Sequence, residues 1–114
     1  ILIDYLNGIE AARGYVSANE KDVSISVVTA SEVLVGTSGE GEQATVRFLD
    51  AFPLLEIDRE TAITTARLRR QHGWKLPDAF QAALAQRHGL TLATRNTRDF
   101  DPETYTFVDV PYRV

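Results

Sequence analysis

Apolar runs of strand length alternate along this chain with segments of helical period. "DVSISVV", residues 22–28, is dense in valine and isoleucine and reads as a buried strand. In "TASEVLVG" Thr29 and Glu32 have capping-box spacing and Gly36 marks the stop, so a helix is expected from Thr29. "GTSGEGE" reads as a flexible connection, because it lacks the lysine of a phosphate-binding loop. "QATVRFLDAF" has an amphipathic period that Pro53 closes, and "LLEI" is the next strand. Asp58 suits the N-cap of "RETAITTARLRRQHG", where Ala62, Ile63 and Ala66, with Thr65, fall on one apolar face. Pro77 belongs in the first turn of "PDAFQAALAQRHG", which Gly89 ends. "LTLAT" and "TYTFVDV" complete the strands.

Strands separated by single helices predict an α/β fold, a three-layer α/β/α sandwich with a mostly parallel central sheet. Its length of 114 residues suits one domain. The opening run "ILIDYL" has no cap before it, and the chain contains no methionine, so the first few residues of the domain are expected upstream. In such a fold the ligand crevice lies outside the carboxyl ends of the strands. The stretch "TLATRNTRDF" sits at one of those ends, where a buried strand gives way to arginines, an asparagine and an aspartate.

Composition narrows the chemistry. With no cysteine, a disulfide framework, a thiolate zinc cluster and a thiol nucleophile are excluded, and a reducing cytoplasm is the expected location. No apolar run reaches the roughly 20 residues of a membrane span. The net charge of −4 is uneven: residues 1–58 carry ten acids against three bases, and residues 59–98 eight bases against two acids. A basic middle on an acidic chain suits either a polyanion or a solvated helix face.

Three acids fall at equivalent places. Glu32 follows the strand in "SISVV", Asp99 follows "LTLAT", and Asp78 opens the helix before it. Carboxylates gathered in one crevice repel unless a cation joins them, and an all-oxygen donor set favours Mg²⁺ or Mn²⁺. Each acid also has a plain structural reading: Glu32 as a capping partner, Asp78 as a helix-dipole complement, Asp99 and Asn96 as loop-turn residues. His72 and His88 precede glycines at helix ends and suit dipole roles. Ser31 and Ser38 have no histidine at triad spacing.

"TASEVLVG" followed by "LPDAFQAALAQRHGLTLATRNTRDF" resembles the motifs of PIN-domain proteins, most closely the VapC-type toxins of bacterial toxin–antitoxin pairs. The likeness runs over nearly the whole chain. It implies a Mg²⁺- or Mn²⁺-dependent endoribonuclease that cuts RNA, is neutralised by a cognate antitoxin, and forms a homodimer. Glu32, Asp78 and Asp99 match the family's acidic catalytic and metal positions, and Thr94 and Asn96 match the polar residues that shape the adjoining loop. Arg95, Arg98 and Lys75 are candidates for RNA phosphate. The family opens on a strand carrying a further Asp, and "ILIDYL" starts just after that place; Asp4 lies beyond it and does not take its role. Two other readings are an RNA-processing PIN nuclease without an antitoxin and a degenerate α/β module that binds metal without catalysis.

Overall fold

The computed structural model describes residues 1–19 and 21–112. Leu2–Glu56 forms one compact unit, and the chain from Ile57 onward a second.

The first unit begins with helices α1 (Leu2–Leu6) and α2 (Glu10–Asn19). The sequence reading had not recognised α2; its buried residues are Ala12 and Val16, four positions apart on one face. Strand β1 (Ile25–Ser26) passes directly into α3 (Val27–Val35), and α4 (Gly39–Leu49) leads to β2 (Leu54–Leu55). β1 and β2 pair in parallel, Ile25 opposite Leu54, and the Ile25 amide donates to the Pro53 carbonyl at 2.9 Å. Tyr5 stacks on Phe48 with centroids 5.1 Å apart, and Phe48 meets Phe52 edge-on at 5.4 Å, which ties α1 to the end of α4.

Two expectations are corrected here. The helix does not open at Thr29: Ser26 is the N-cap, and its Oγ accepts from the Thr29 amide at 2.9 Å. Ser26 is the last residue of the strand and the first of the cap, so the expected seven-residue strand contracts to two. Glu32 then lies in the second turn, exposed, where no orphan amide needs it. Nor is "GTSGEGE" merely a flexible connection, because Gly39 to Glu42 form the first turn of α4.

The second unit carries α5 (Arg59–His72), α6 (Leu76–Arg87), β3 (Leu92–Ala93) and β4 (Val108–Asp109). Asp58 caps α5 as expected, accepting from the Thr61 amide at 2.8 Å, and that bond holds its carboxyl below the ordinary range. Its cap is thus charged above the ordinary aspartate range and weakens as pH falls through the lowered value. Gly73 ends α5 in the left-handed region at φ 71, which glycine enters without Cβ strain. Pro77 stands in the first turn of α6, again as expected.

The buried face of α5 is Thr61, Thr65 and Leu68; of the residues read as one apolar face, Ala62, Ile63 and Ala66 are exposed and Thr65 is buried. Thr65 can line the core because its Oγ1 donates to the Thr61 carbonyl of its own helix at 2.7 Å, whereas the buried Thr61 hydroxyl has no hydrogen-bond partner among the described residues. Leu68 joins Trp74, Phe100, Val108 and the alanines Ala79, Ala82 and Ala83 of α6 in one buried cluster. Trp74 in that cluster is only 4% exposed. β3 and β4 pair in parallel, Leu92 opposite Val108, as the α/β expectation requires. Their connection holds no helix, however, whereas β1 and β2 are joined by two. The expectation of strictly single helices between strands does not hold.

Ser26→Ala removes the observed cap and should lower the unfolding free energy by about 1 kcal/mol in urea titration. Glu32→Gln should stay within about 0.5 kcal/mol of wild type. An equal loss in both variants would restore Glu32 to a capping role.

Candidate functional site

β3 delivers the chain into the loop that carries most of the candidate polar residues. The Leu92 amide donates to Phe107 at 2.7 Å and the Thr94 amide to Asp109 at 3.0 Å, so the loop departs from a fixed point beside β4. Thr94 Oγ1 accepts from the Asn96 amide at 3.0 Å, a hydroxyl turn that sets the direction of the next residues. Asn96 then caps one helical turn: its Oδ1 accepts from the Asp99 amide at 3.3 Å, and its carbonyl accepts from the Phe100 amide at 3.0 Å. In return Asn96 Nδ2 donates to the Asp99 carboxylate, Oδ2, at 3.0 Å. The loop thus spends its polar side chains on holding Asp99. Phe100, next in sequence, is 2% exposed and anchors the turn in the core.

Asp78 approaches from the first turn of α6. Its carboxyl is pushed above the ordinary value of 3.8, first by partial burial and then by the negative charge of Asp99, against which the positive charge of Lys75 acts. The two acids therefore sense each other across 21 residues of sequence. Lys75, a candidate for RNA phosphate, is the N-cap residue of α6 and the cation nearest in effect to Asp78. Arg95 and Arg98 are exposed on the loop.

The structure brings together Asp78, Asp99, Asn96 and Thr94, all in the second unit. Glu32 belongs to the first unit, on α3. Among the described residues no group of three or more His, Asp or Glu side chains is arranged to hold a metal ion. The Asp78–Asp99 pair nonetheless suits a hard cation chemically. Both donors are carboxylate oxygens, and the charge of one disfavours the charge of the other, an imbalance that a divalent ion relieves.

Sequence reasoning missed Trp74. Its Nε1–H donates to the Asp99 carbonyl at 3.1 Å, its ring lies 4.9 Å from that of Phe100, and its carbonyl accepts from the Arg69 guanidinium. The signal available was that this is the chain's one tryptophan, placed between a helix-ending Gly73 and the start of α6. His72 was also misjudged as a dipole residue alone: its ring stacks on Trp74 at 4.1 Å, and its Nδ1 lies 3.3 Å from the Tyr105 hydroxyl. His88 does fall at the helix end, as the C-cap of α6.

The raised Asp78 carboxyl fixes a sign. The native state holds that proton more tightly than the unfolded chain, so metal-free stability falls as pH rises from 3.8 through the raised value. In the presence of a chelator at neutral pH, Asp78→Asn should melt at or above wild type, by up to a few degrees. The gap should close as pH is lowered through that window. Melting well below wild type at neutral pH would mean that the charge is a net stabiliser at the helix N-terminus.

A profile of the PIN domain matches residues 1–101. A toxin–antitoxin complex from Klebsiella pneumoniae shares 37% identity and a TM-score of 0.87, with 99% of this chain and 93% of that one covered. A DNA-bound VapBC from Salmonella typhimurium gives a TM-score of 0.71 at 23% identity, over 88% of this chain and 83% of that one. At that identity the second likeness speaks for the fold. No curated protein matches the chain. The α/β expectation holds, and the chain belongs to the PIN domain family.

Proposed function

We propose that this chain is a toxin nuclease that hydrolyses RNA phosphodiester bonds, works with Mg²⁺ or Mn²⁺, and is held in check by an antitoxin protein. The observation that carries the reading is the pairing of Asp78 with Asp99, two carboxylates set against each other in a fold of the PIN family. The likeness to a chain of a toxin–antitoxin complex at 37% identity supports the partner.

Asp78 and Asp99 would hold the ion, with Glu32 contributing directly or through a water. A bound divalent ion supplies an activated water and stabilises charge on the phosphoryl oxygens. The protein's own residues do the rest. Asn96 fixes the Asp99 carboxylate by its Nδ2–H, which commits one Asp99 oxygen to that bond. Lys75 balances part of the charge at Asp78, and Arg95 and Arg98 offer cations to the polyanion on the exposed side of the loop. Thr94 keeps the loop start in register with β4.

Wild type, Glu32→Gln and Asp78→Asn should be compared on RNA with Mg²⁺ present and absent, alongside calorimetric titration with Mn²⁺. Both substitutions should slow cleavage by roughly a hundredfold or more, and Asp78→Asn should lose most of the ion affinity. Because Ser26 supplies the cap of α3, a loss of activity in Glu32→Gln without a fall in melting temperature assigns the residue to chemistry. Wild-type cleavage by Glu32→Gln would remove it from the site, and equal Mn²⁺ affinity in Asp78→Asn would remove that residue.

We also propose a homodimer. Ala62, Ile63 and Ala66 form an apolar stripe on the exposed side of α5, with Ile63 39% exposed, and such a surface suits a self-complementary contact. Light scattering should report twice the chain mass at micromolar concentration, and Ile63→Lys should shift it towards monomer. A wild-type monomer at that concentration would defeat the proposal.

A further inference from the structure

The corner between α5 and α6 is built more firmly than a helix connection requires. Gly73 turns the chain in the left-handed region, the Arg69 guanidinium donates to the Trp74 carbonyl, and α6 begins at once, with the Ala79 amide donating to Lys75 at 2.9 Å. Trp74 is therefore fixed to the end of one helix and the start of the next. Its ring is enclosed by His72 at 4.1 Å with planes 15° apart, by Phe100 at 4.9 Å and by Tyr105 at 5.3 Å. A ring so enclosed cannot swing, and its Nε1–H points along one line, to the Asp99 carbonyl at 3.1 Å.

Asp78 lies four residues beyond this corner, in the first turn of α6. The corner thus holds both acids: Asp78 through the helix that it starts, Asp99 through the indole bond. We propose that Trp74 is a positioning residue that sets Asp99 against Asp78, and this rests on the reading of that pair as the metal site. The side-chain bond from Asn96 orients the Asp99 carboxylate within its loop, but both partners belong to that loop and would move with it. Trp74 supplies the tie between the loop and the helix bearing the other acid. A buried indole N–H needs some acceptor for its own sake. Here the acceptor is the carbonyl of the site residue, which makes the tie one of position as well as of satisfaction.

The test compares Trp74→Phe with Leu68→Val. The first keeps an aromatic ring and deletes the N–H; the second trims the same buried cluster without touching the loop bond. Two quantities are read in the full chain: Mn²⁺ affinity by calorimetry, and amide hydrogen exchange at Asp99 and Phe100, whose amides are protected by Asn96. Trp74→Phe should weaken Mn²⁺ binding by about tenfold or more, the usual loss when an outer partner of a ligand is removed. Exchange at Asp99 and Phe100 should quicken, while amides in the middle of α6 keep their wild-type rates. Leu68→Val should show neither local effect. Unchanged exchange at those two amides in Trp74→Phe overturns the proposal, whatever the titration gives. So does unaltered affinity where wild type binds the ion, and so does an equal response in Leu68→Val. If wild type binds no Mn²⁺, the metal reading of the pair fails by itself, and local exchange alone then decides whether Trp74 holds the Asp99 loop.

Discussion

The partly buried Asp78 carboxyl, set against the negative charge of Asp99, resists its own ionisation, and the groups around the pair in the second unit bear on that interaction. Asp78 bears the effect visibly, with its carboxyl pushed upward by burial and by the charge of Asp99. Left free, either acid would turn outward to water, since a short exposed excursion costs little and relieves the repulsion. The surrounding groups deny that freedom. Asp78 is built into the first turn of a helix started by Pro77, where the residue cannot move without the turn. Asp99 is bonded at its carboxylate and amide by Asn96, and at its carbonyl by Trp74. Like-charge repulsion persists where neighbours hold both groups in place, and carboxyls perturbed in this way gather at working sites.

The strand arrangement supplies the means. A parallel pair cannot be joined by a tight turn and needs a crossover of a dozen or so residues. Between β3 and β4 the crossover, residues 94–107, contains no helix. Its first part is the Asn96-capped turn carrying Asp99. A second turn follows, in which the Tyr105 amide donates to the Asp101 carbonyl at 2.9 Å. Phe100 and Tyr105 both return to the Trp74 ring, so the crossover is pinned to the core at two points. A helical crossover would bury one stripe and offer less freedom to aim a carboxylate.

What could be read from the sequence was whatever had a local cause. Asp58, Pro77, Gly73 and Gly89 act within a few residues of themselves, and the bounds of α5 and α6 follow from them. The loop motif was legible for the same reason, because Thr94, Asn96 and Asp99 bond mainly to one another. Errors arose where one residue serves two elements or where a distant partner decides. Ser26 ends a strand and caps a helix, which moved the start of α3 ahead of Thr29. On α5 Thr61 and Thr65 went inward while Ile63 stayed exposed; the Thr65 hydroxyl bonds to a carbonyl of its own helix, so its burial leaves that group satisfied. The burial of Trp74 depends on an acceptor 25 residues away, and no local pattern announces that.

The uneven charge of the chain takes on meaning at this loop. The basic stretch of residues 59–98 ends where Asp99 begins, so Arg95 and Arg98 stand within four residues of an acid that on the proposed reading binds metal. The Asp99 carboxylate accepts from the neutral amide of Asn96, and Asp78 senses the longer-range charge of Lys75. An amide donor orients a carboxylate and leaves its charge in place, whereas a guanidinium clamps it with two bonds and cancels that charge. Holding Asp99 by asparagine therefore orients the carboxylate without cancelling its charge.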